Sequence, residues 1–254
     1  MSQEPIHYSI FAADIENYSG RRPLGQLDLR HLLSAALDEA AGQSAARRSQ
    51  WIRQDQGDGE LALVPATVSK PRLVAELIRE LKIALDRHNE ARKPADRLRL
   101  RVAMHYGDVH VDGTGFAGDA PVVASRLLDS EQLRKALDAV PNANLVIILS
   151  APMFEAVNGY RDITEDKFTP VRVRVPSKRF IQDAWVSVPD FRPPELDQLE
   201  GRAGQQDTQA RTKERGKPPD PAASKPSLGR VVFHGPVSFG DGPVAGRDIN
   251  FGGR

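Results

Sequence analysis

The sequence predicts an α+β sandwich, with helices packed on one mostly antiparallel sheet, followed by a disordered linker and a short tail. Three observations carry this. Within residues 1–189, stretches where apolar residues alternate are interleaved with stretches where they recur every three or four positions. Their order is strand, helix, hairpin, helix, strand, helix, strand, short helix, hairpin, which suits helices layered on a sheet. From about Asp190 the periodicity stops, and "DFRPPELDQLEGRAGQQDTQARTKERGKPPDPAASKPS" has few large apolar residues to offset the entropy of ordering.

His7 to Ala13, "HYSIFAA", is a β-type run that ends at Asp14. In "PLGQLDLRHLLSAALDEAA", Leu27, Leu29, Leu32, Leu33 and Leu37 recur at helical spacing, with Pro23 at the start. "SQWIRQ" and "ELALVP" are two strands around an acidic turn. Leu73, Leu77, Leu81 and Leu85 fall at every fourth position of "KPRLVAELIRELKIALDRHNEA", an amphipathic helix whose leucines belong to the core. "RLRLRVAMHYGDVHV" alternates arginine with apolar residues, a strand running into a turn at Gly107. "DAPVVASRLLDSEQLRKAL" is helical, and Pro121 is tolerated because it lies in the first turn. "NLVIILS" is a buried strand and "APMFEAV" a short helix after Ser150. "FTPVRVRVP" and "DAWVSVP" form a last strand pair joined around "SKRFIQ".

The chain has 254 residues and a formal net charge of +1, with 40% hydrophobic and 27% charged residues. That suffices for one sizeable domain with an appendage, or two small domains. The near-neutral balance gives no case for a nucleic acid or a membrane as partner. There is no cysteine, which excludes disulfides, thiolate catalysis and cysteine-ligated zinc. "MSQEPIHYSIFAADI" lacks the basic and apolar regions of a signal peptide, and no apolar run approaches the roughly 18 residues that span a bilayer. The expected location is the cytoplasm.

Two carboxylates stand at strand ends. Asp14 closes the first apolar run, and Asp58 sits between two glycines in "WIRQDQGDGELALVP". Gly-Asp-Gly is ordinary turn chemistry, and an aspartate that ends a strand needs no metal. Brought together, two such groups would instead suit a hard divalent cation. The residues alone leave both readings open. His105 and His110 lack metal-ligand spacing and are assigned no role.

"FAADIENYS" resembles the first metal motif of class III nucleotide cyclases, with Asp14 and Ile15 followed by Tyr18 and Ser19 at the matching places. "QGDGELALVP" is similar to the second metal motif, at Asp58. "RLRLRVAMHYGDVHV" resembles the strand that follows, and "GFAGDAPVVASRLLDS" the helix whose arginine falls at Arg126. The four stretches occur in the family's order between residue 6 and about residue 188. The resemblance implies a ferredoxin-like nucleotide cyclase sandwich over residues 1–189. It implies conversion of a nucleoside triphosphate to a 3′,5′-cyclic nucleotide and pyrophosphate. Asp14 and Asp58 would bind two ions, Mg²⁺ or Mn²⁺, with Ile15 lending a carbonyl oxygen and Arg126 steadying the transition state. A homodimer is implied too, because the family's site forms between two chains.

The departures concern the nucleotide. Where the family has an asparagine that positions the ribose, this chain has Val122. Where a lysine reads the purine it has Gln54 beside Arg53, and the second base-reading place falls near Gly115. Cyclases of this class that act on pyrimidine nucleotides in bacterial anti-phage signalling also depart there. Arg53 and Gln54 can hydrogen-bond a uracil or cytosine edge, and Lys178 or Arg179 can meet the triphosphate. For each, a surface role is the plainer alternative. The competing function is a catalytically silent cyclase fold that serves as a signalling adaptor.

After the linker, residues 190–228, the tail at 229–254 alternates again: Val231, Phe233, Val237, Phe239, Val244, Ile249, Phe251, punctuated by glycines. It is too short for a core of its own. It resembles bacterial amyloid-signalling motifs that join sensor to effector proteins, and it reads equally as a Gly-rich disordered tail. A partner bound through this tail is one expectation.

Overall fold

The computed structural model describes residues 4–112, 115–160, 163–175 and 179–191, and the backbone of 237–239. The strands are β1 (Ile6–Ile15), β2 (Ile52–Asp55), β3 (Gly59–Pro65), β4 (Leu100–Asp112), β5 (Gly115–Ala117), β6 (Leu145–Ser150), β7 (Thr169–Val175), β8 (Phe180–Ser187) and β9 (Val237–Phe239). The helices are α1 (Pro23–Gln43), α2 (Ile78–Asn89, entered through a π-type turn at Arg72–Leu77), α3 (Asp119–Leu128), α4 (Glu131–Ala139) and α5 (Ala151–Glu155). One sheet runs β7-β8-β6-β4-β1-β3-β2-β9, with β5 folded back on β4. β4 and β6 are parallel and the other neighbouring pairs antiparallel, so the expected α+β architecture is what the chain adopts.

Alternation along the strands makes two cores, one on each face of the sheet. Phe11, Ala13 and Ile15 of β1 join Leu33, Leu37, Leu77, Leu81 and Phe154, under α1, α2 and α5. Ile10 and Ala12 face the other way, toward Leu61, Leu63, Ala124, Leu127 and Leu137, under α3 and α4. Leu73, Leu77, Leu81 and Leu85 are at most 1% exposed, as their spacing requires. Each contributes roughly 1.5–3 kcal/mol of burial.

Five local expectations needed revision, the first at Gly107, where no turn forms because β4 runs through it to Asp112. β1 does not end at Asp14 but runs on to Ile15, so Asp14 lies within the ladder, opposite Gly59 and Arg101. The segment expected to be helical from Asp119 onward is two helices, because Ser130 leaves helical geometry and caps α4 by accepting from the Leu133 N–H. "FIQ" belongs to β8 rather than to its connection, and β5 has no counterpart in the sequence reading. Leu27, placed on the apolar stripe of α1, is half exposed, while Leu29, Leu33 and Leu37 are buried. Among the described residues no helix is long and apolar enough to cross a membrane. β9 pairs with the outer edge of β2, Ile52 opposite Phe239 and Gln54 opposite Val237. The linker beyond Phe191 and the rest of the tail lie outside the described residues.

Candidate active site

The acidic hairpin is built by its glycines. Gly57 holds φ of 84°, the left-handed region that a side chain resists. A Cβ on Gly59 would lie 2.0 Å from the Ala13 carbonyl oxygen and 2.9 Å from the Asp14 Cα. Only glycine lets β3 come this close to the residue that matters on β1. The turn is then stitched in place. The Ile15 N–H donates to the Asp58 carbonyl at 2.9 Å, the Gln56 N–H to Gly59 at 2.9 Å, and the Gly57 N–H to Asp55 Oδ1 at 2.7 Å. Turn chemistry and the joining of two acidic positions are therefore the same device.

Asp14 projects from the face that α3 and α4 cover, in phase with Ile10 and Ala12. Directly across the ladder stands Arg101, whose Nε and Nη2 donate to the two carboxylate oxygens at 2.8 and 2.6 Å. The two side chains are 13% and 14% exposed. Even so, the Asp14 pKa is pushed up to about 6. Burial is the main cause, Arg101 opposes it, and the negative charges of Asp58 and Asp129 add to it. Asp58 is itself exposed at the turn. Two further carboxylates thus act on a group that one guanidinium pairs.

Two of these residues were not singled out from the sequence. Arg101 is one of the arginines in "RLRLRV", and only the register of β4 against β1 shows which arginine meets Asp14. Asp129 follows Arg126 by three residues in "SRLLDS" and ends α3, close enough for its charge to reach Asp14.

The remaining expected site residues divide. The Ile15 side chain is buried in the core under α1, while its N–H holds the Asp58 loop. Arg53 and Gln54, as successive strand residues, point to opposite faces and cannot line one pocket together. Gln54 lies across from Leu61 and is 2% exposed. Arg53 lies across from Ala62, and its charge bears on Glu60, which is held by the buried Arg48 on the α1 side. Arg126 sets its guanidinium 5.3 Å from the centre of the Phe180 ring in β8, on the side of the sheet away from β1. Within one chain it is not among the charges that act on Asp14. Val122 is half-buried on α3. Lys178 lies outside the described residues; Arg179, beside it, holds a positive φ of 48°.

The donor set at the joined strand ends consists of hard oxygens, and a cation between Asp14 and Asp58 would offset the burial that chiefly raises the Asp14 pKa and the Asp58 repulsion that adds to it. Among the described residues no three His, Cys, Asp or Glu side chains gather as a metal cluster. A divalent ion here would depend on these two carboxylates and on water, the habit of Mg²⁺.

No protein-family model and no curated protein matches the sequence. Solved structures do match. An adenylate/guanylate cyclase/hydrolase from Silicibacter pomeroyi superposes with a TM-score of 0.56 at 21% identity, covering 74% of this chain and 100% of that one. The guanylyl cyclase Cya2 gives 0.54 at 16% identity, covering 75% and 96%. A bacterial light-regulated adenylyl cyclase gives 0.51 at 13%, covering 78% and 97%. At such identities the likeness establishes the fold: this chain has the sandwich of adenylate and guanylate cyclase domains.

Proposed function

We propose that this chain is a divergent nucleotide cyclase that converts a nucleoside triphosphate to a 3′,5′-cyclic nucleotide and pyrophosphate. The observation that carries the reading is the approach of Asp14 and Asp58 at one end of a cyclase-type sheet, where the charge of Asp58 acts on Asp14. In the reaction the ribose 3′ oxygen forms a bond to the α-phosphorus, the bond to the bridging oxygen of the β-phosphate breaks, and the hydroxyl proton is lost. Two Mg²⁺ or Mn²⁺ ions held by Asp14 and Asp58 would supply charge stabilisation for the attacking and leaving oxygens. The chain itself contributes a rigid mount: the Ile15–Asp58 hydrogen bond and the glycine contact keep both carboxylates at fixed strand ends.

Arg126 lies toward β8, away from these carboxylates, so a single chain does not bring cation and acids together. A second copy that offers its Arg126 would complete the site, and on this reading the active species is a homodimer. Gln54 shares the face of Asp14 but is buried, and Arg53 points away, so within one chain neither presents itself to a base edge. Without the family's purine-reading lysine, a pyrimidine triphosphate is the specific substrate proposed, and bacterial anti-phage signalling the setting.

The test is product formation by the purified dimer with Mn²⁺ and each of the four ribonucleoside triphosphates. One triphosphate should be cyclised, and Asp58→Ala should bring product to background. Product unchanged in Asp58→Ala overturns the reading.

A second reading has one observation in its favour. The tail's Val237–Phe239 is received as a strand by the β2 edge, so this segment can bind by strand addition. A silent cyclase fold that signals through its tail would use that property. Val122→Asn separates the two: activity that appears only in this variant marks the natural protein as a binding module.

A further inference from the structure

The proposed metal site is not empty of positive charge. Both Asp14 oxygens are taken by Arg101, and the pair is built into the β1–β4 ladder as direct cross-strand neighbours. Among the described residues the Arg101 side chain makes no hydrogen bond other than these two, so nothing else anchors its guanidinium. Asp58 and Asp129 add negative charge around the pair.

We propose that Arg101 is a resident counter-ion that holds the place of the divalent cation on Asp14, and that metal loading is an exchange of partners. This rests on the cyclase reading and deepens it. The two oxygens that the fork occupies are the oxygens a metal would need. A guanidinium and a divalent ion on the same side of a buried carboxylate repel each other, so the ion enters as the arginine leaves. The freed guanidinium needs an acceptor, because an unpaired buried cation is costly. Asp129, whose charge reaches Asp14, already faces Arg134 at 3.7 Å through one oxygen, and a carboxylate can accept from a second guanidinium as well. The exchange keeps Asp14 paired when the ion is absent and sets a threshold that the ion must overcome. The opposite role is also chemically definite: an arginine that steers Asp14 toward the ion would strengthen binding rather than compete with it.

The two roles give opposite signs in a Mn²⁺ titration of the full chain without nucleotide, at about pH 8 so that the carboxylates are ionised. Replacing Arg101 removes a charge-assisted competitor, so Arg101→Gln should bind Mn²⁺ about tenfold or more tightly than the wild type. Arg101→Lys, which keeps the charge but loses the fork, should fall between them. If Arg101→Gln binds equally or more weakly, the exchange is wrong. The wild type carries an independent readout that does not depend on the variant folding. The Arg101 Nε–H resonance, identified by its loss in Arg101→Lys, should move on saturation with Mg²⁺, and an unmoved signal overturns the proposal. Asp58→Ala separates the two levels. If the wild type binds Mn²⁺ through Asp58 and Arg101→Gln does not tighten it, only the exchange falls. If the wild type binds no Mn²⁺, the cyclase reading falls as well.

Discussion

Two arginine–carboxylate pairs stand two residues apart, one within β1 and β4 and the other just beyond their ends, and they differ in what else each arginine holds. Arg101 meets Asp14 and Arg99 meets Glu16, each at 2.6–2.9 Å, with side chains between 13% and 17% exposed. Arg99 spends its other donors on the Ala143, Leu137 and Val140 carbonyls, which fastens the end of α4 to the sheet. Its Glu16 partner donates a backbone N–H to the Arg99 carbonyl as well. Arg101 has no such second duty, and two further carboxylates press on its partner. Burial is alike, although Arg101 forks two nitrogens onto its partner and Arg99 gives Glu16 only Nη1. What makes one pair a clamp and the other available for chemistry is how many other groups each arginine satisfies.

The largest expected effect sharpens that contrast. Arg99→Ala leaves the half-buried Glu16 without its partner and takes a charged donor from three carbonyls, of which Leu137 and Val140 keep a backbone N–H, a loss of about 3–5 kcal/mol. Guanidinium unfolding at neutral pH measures it. Arg101→Gln should cost much less, because Asp14, already pushed up to about 6, can take a proton in place of the guanidinium. Equal losses at the two arginines would break the comparison.

The same contrast marks the limit of what the sequence discloses. The leucines of α2 and the apolar run of β6 announce themselves, because burial of a whole face imposes a period that survives in one dimension. Asp14 and Asp58 are legible because glycines and strand ends bracket them. Which of the arginines in "RLRLRV" pairs with Asp14 is not, since register between β1 and β4 is a property of two distant segments, 87 residues apart for this pair. The opposite facing of Arg53 and Gln54 could have been foreseen from strand alternation. The break at Ser130 was hidden because Leu127 and Leu133 are both buried in the same core, so one apolar stripe appears to run through two helices.

A smaller effect tests the electrostatic half of the contrast. The folded-state pKa of Asp14 lies above its ordinary value of 3.8, at about 6, so folding favours its protonated form. The stability it contributes is present below about pH 4 and is lost as pH rises through 6, roughly 3 kcal/mol in all. His105 works in the opposite direction. Burial pushes its pKa down from 6.5 to about 4, so its contribution is present above pH 6.5 and is lost as pH falls through 4. The two partly cancel in the wild type. In His105→Gln, which can keep the bond to Ser150 Oγ, stability should fall between pH 4 and 7. Asp14→Asn in that background should abolish the fall, and Mg²⁺ should reduce it. A slope that survives Asp14→Asn would place the electrostatic load elsewhere.

The smallest effect belongs to a third pair of the same kind. Arg30 of α1 reaches Asp55 at the base of the acidic turn, with side chains 41% and 43% exposed. Water screens this pair, so Arg30→Ala should cost under about 1 kcal/mol, and less still in high salt. Asp55 keeps its place without the arginine, because its other oxygen accepts from the Gly57 N–H. Asp58 should therefore stay where the turn puts it, and Mn²⁺ affinity should be unchanged. Thermal melts at low and high salt, with a Mn²⁺ titration beside them, decide the matter. A loss of several kcal/mol or a weakened ion would mean that α1, rather than the glycines, holds the second carboxylate against the first.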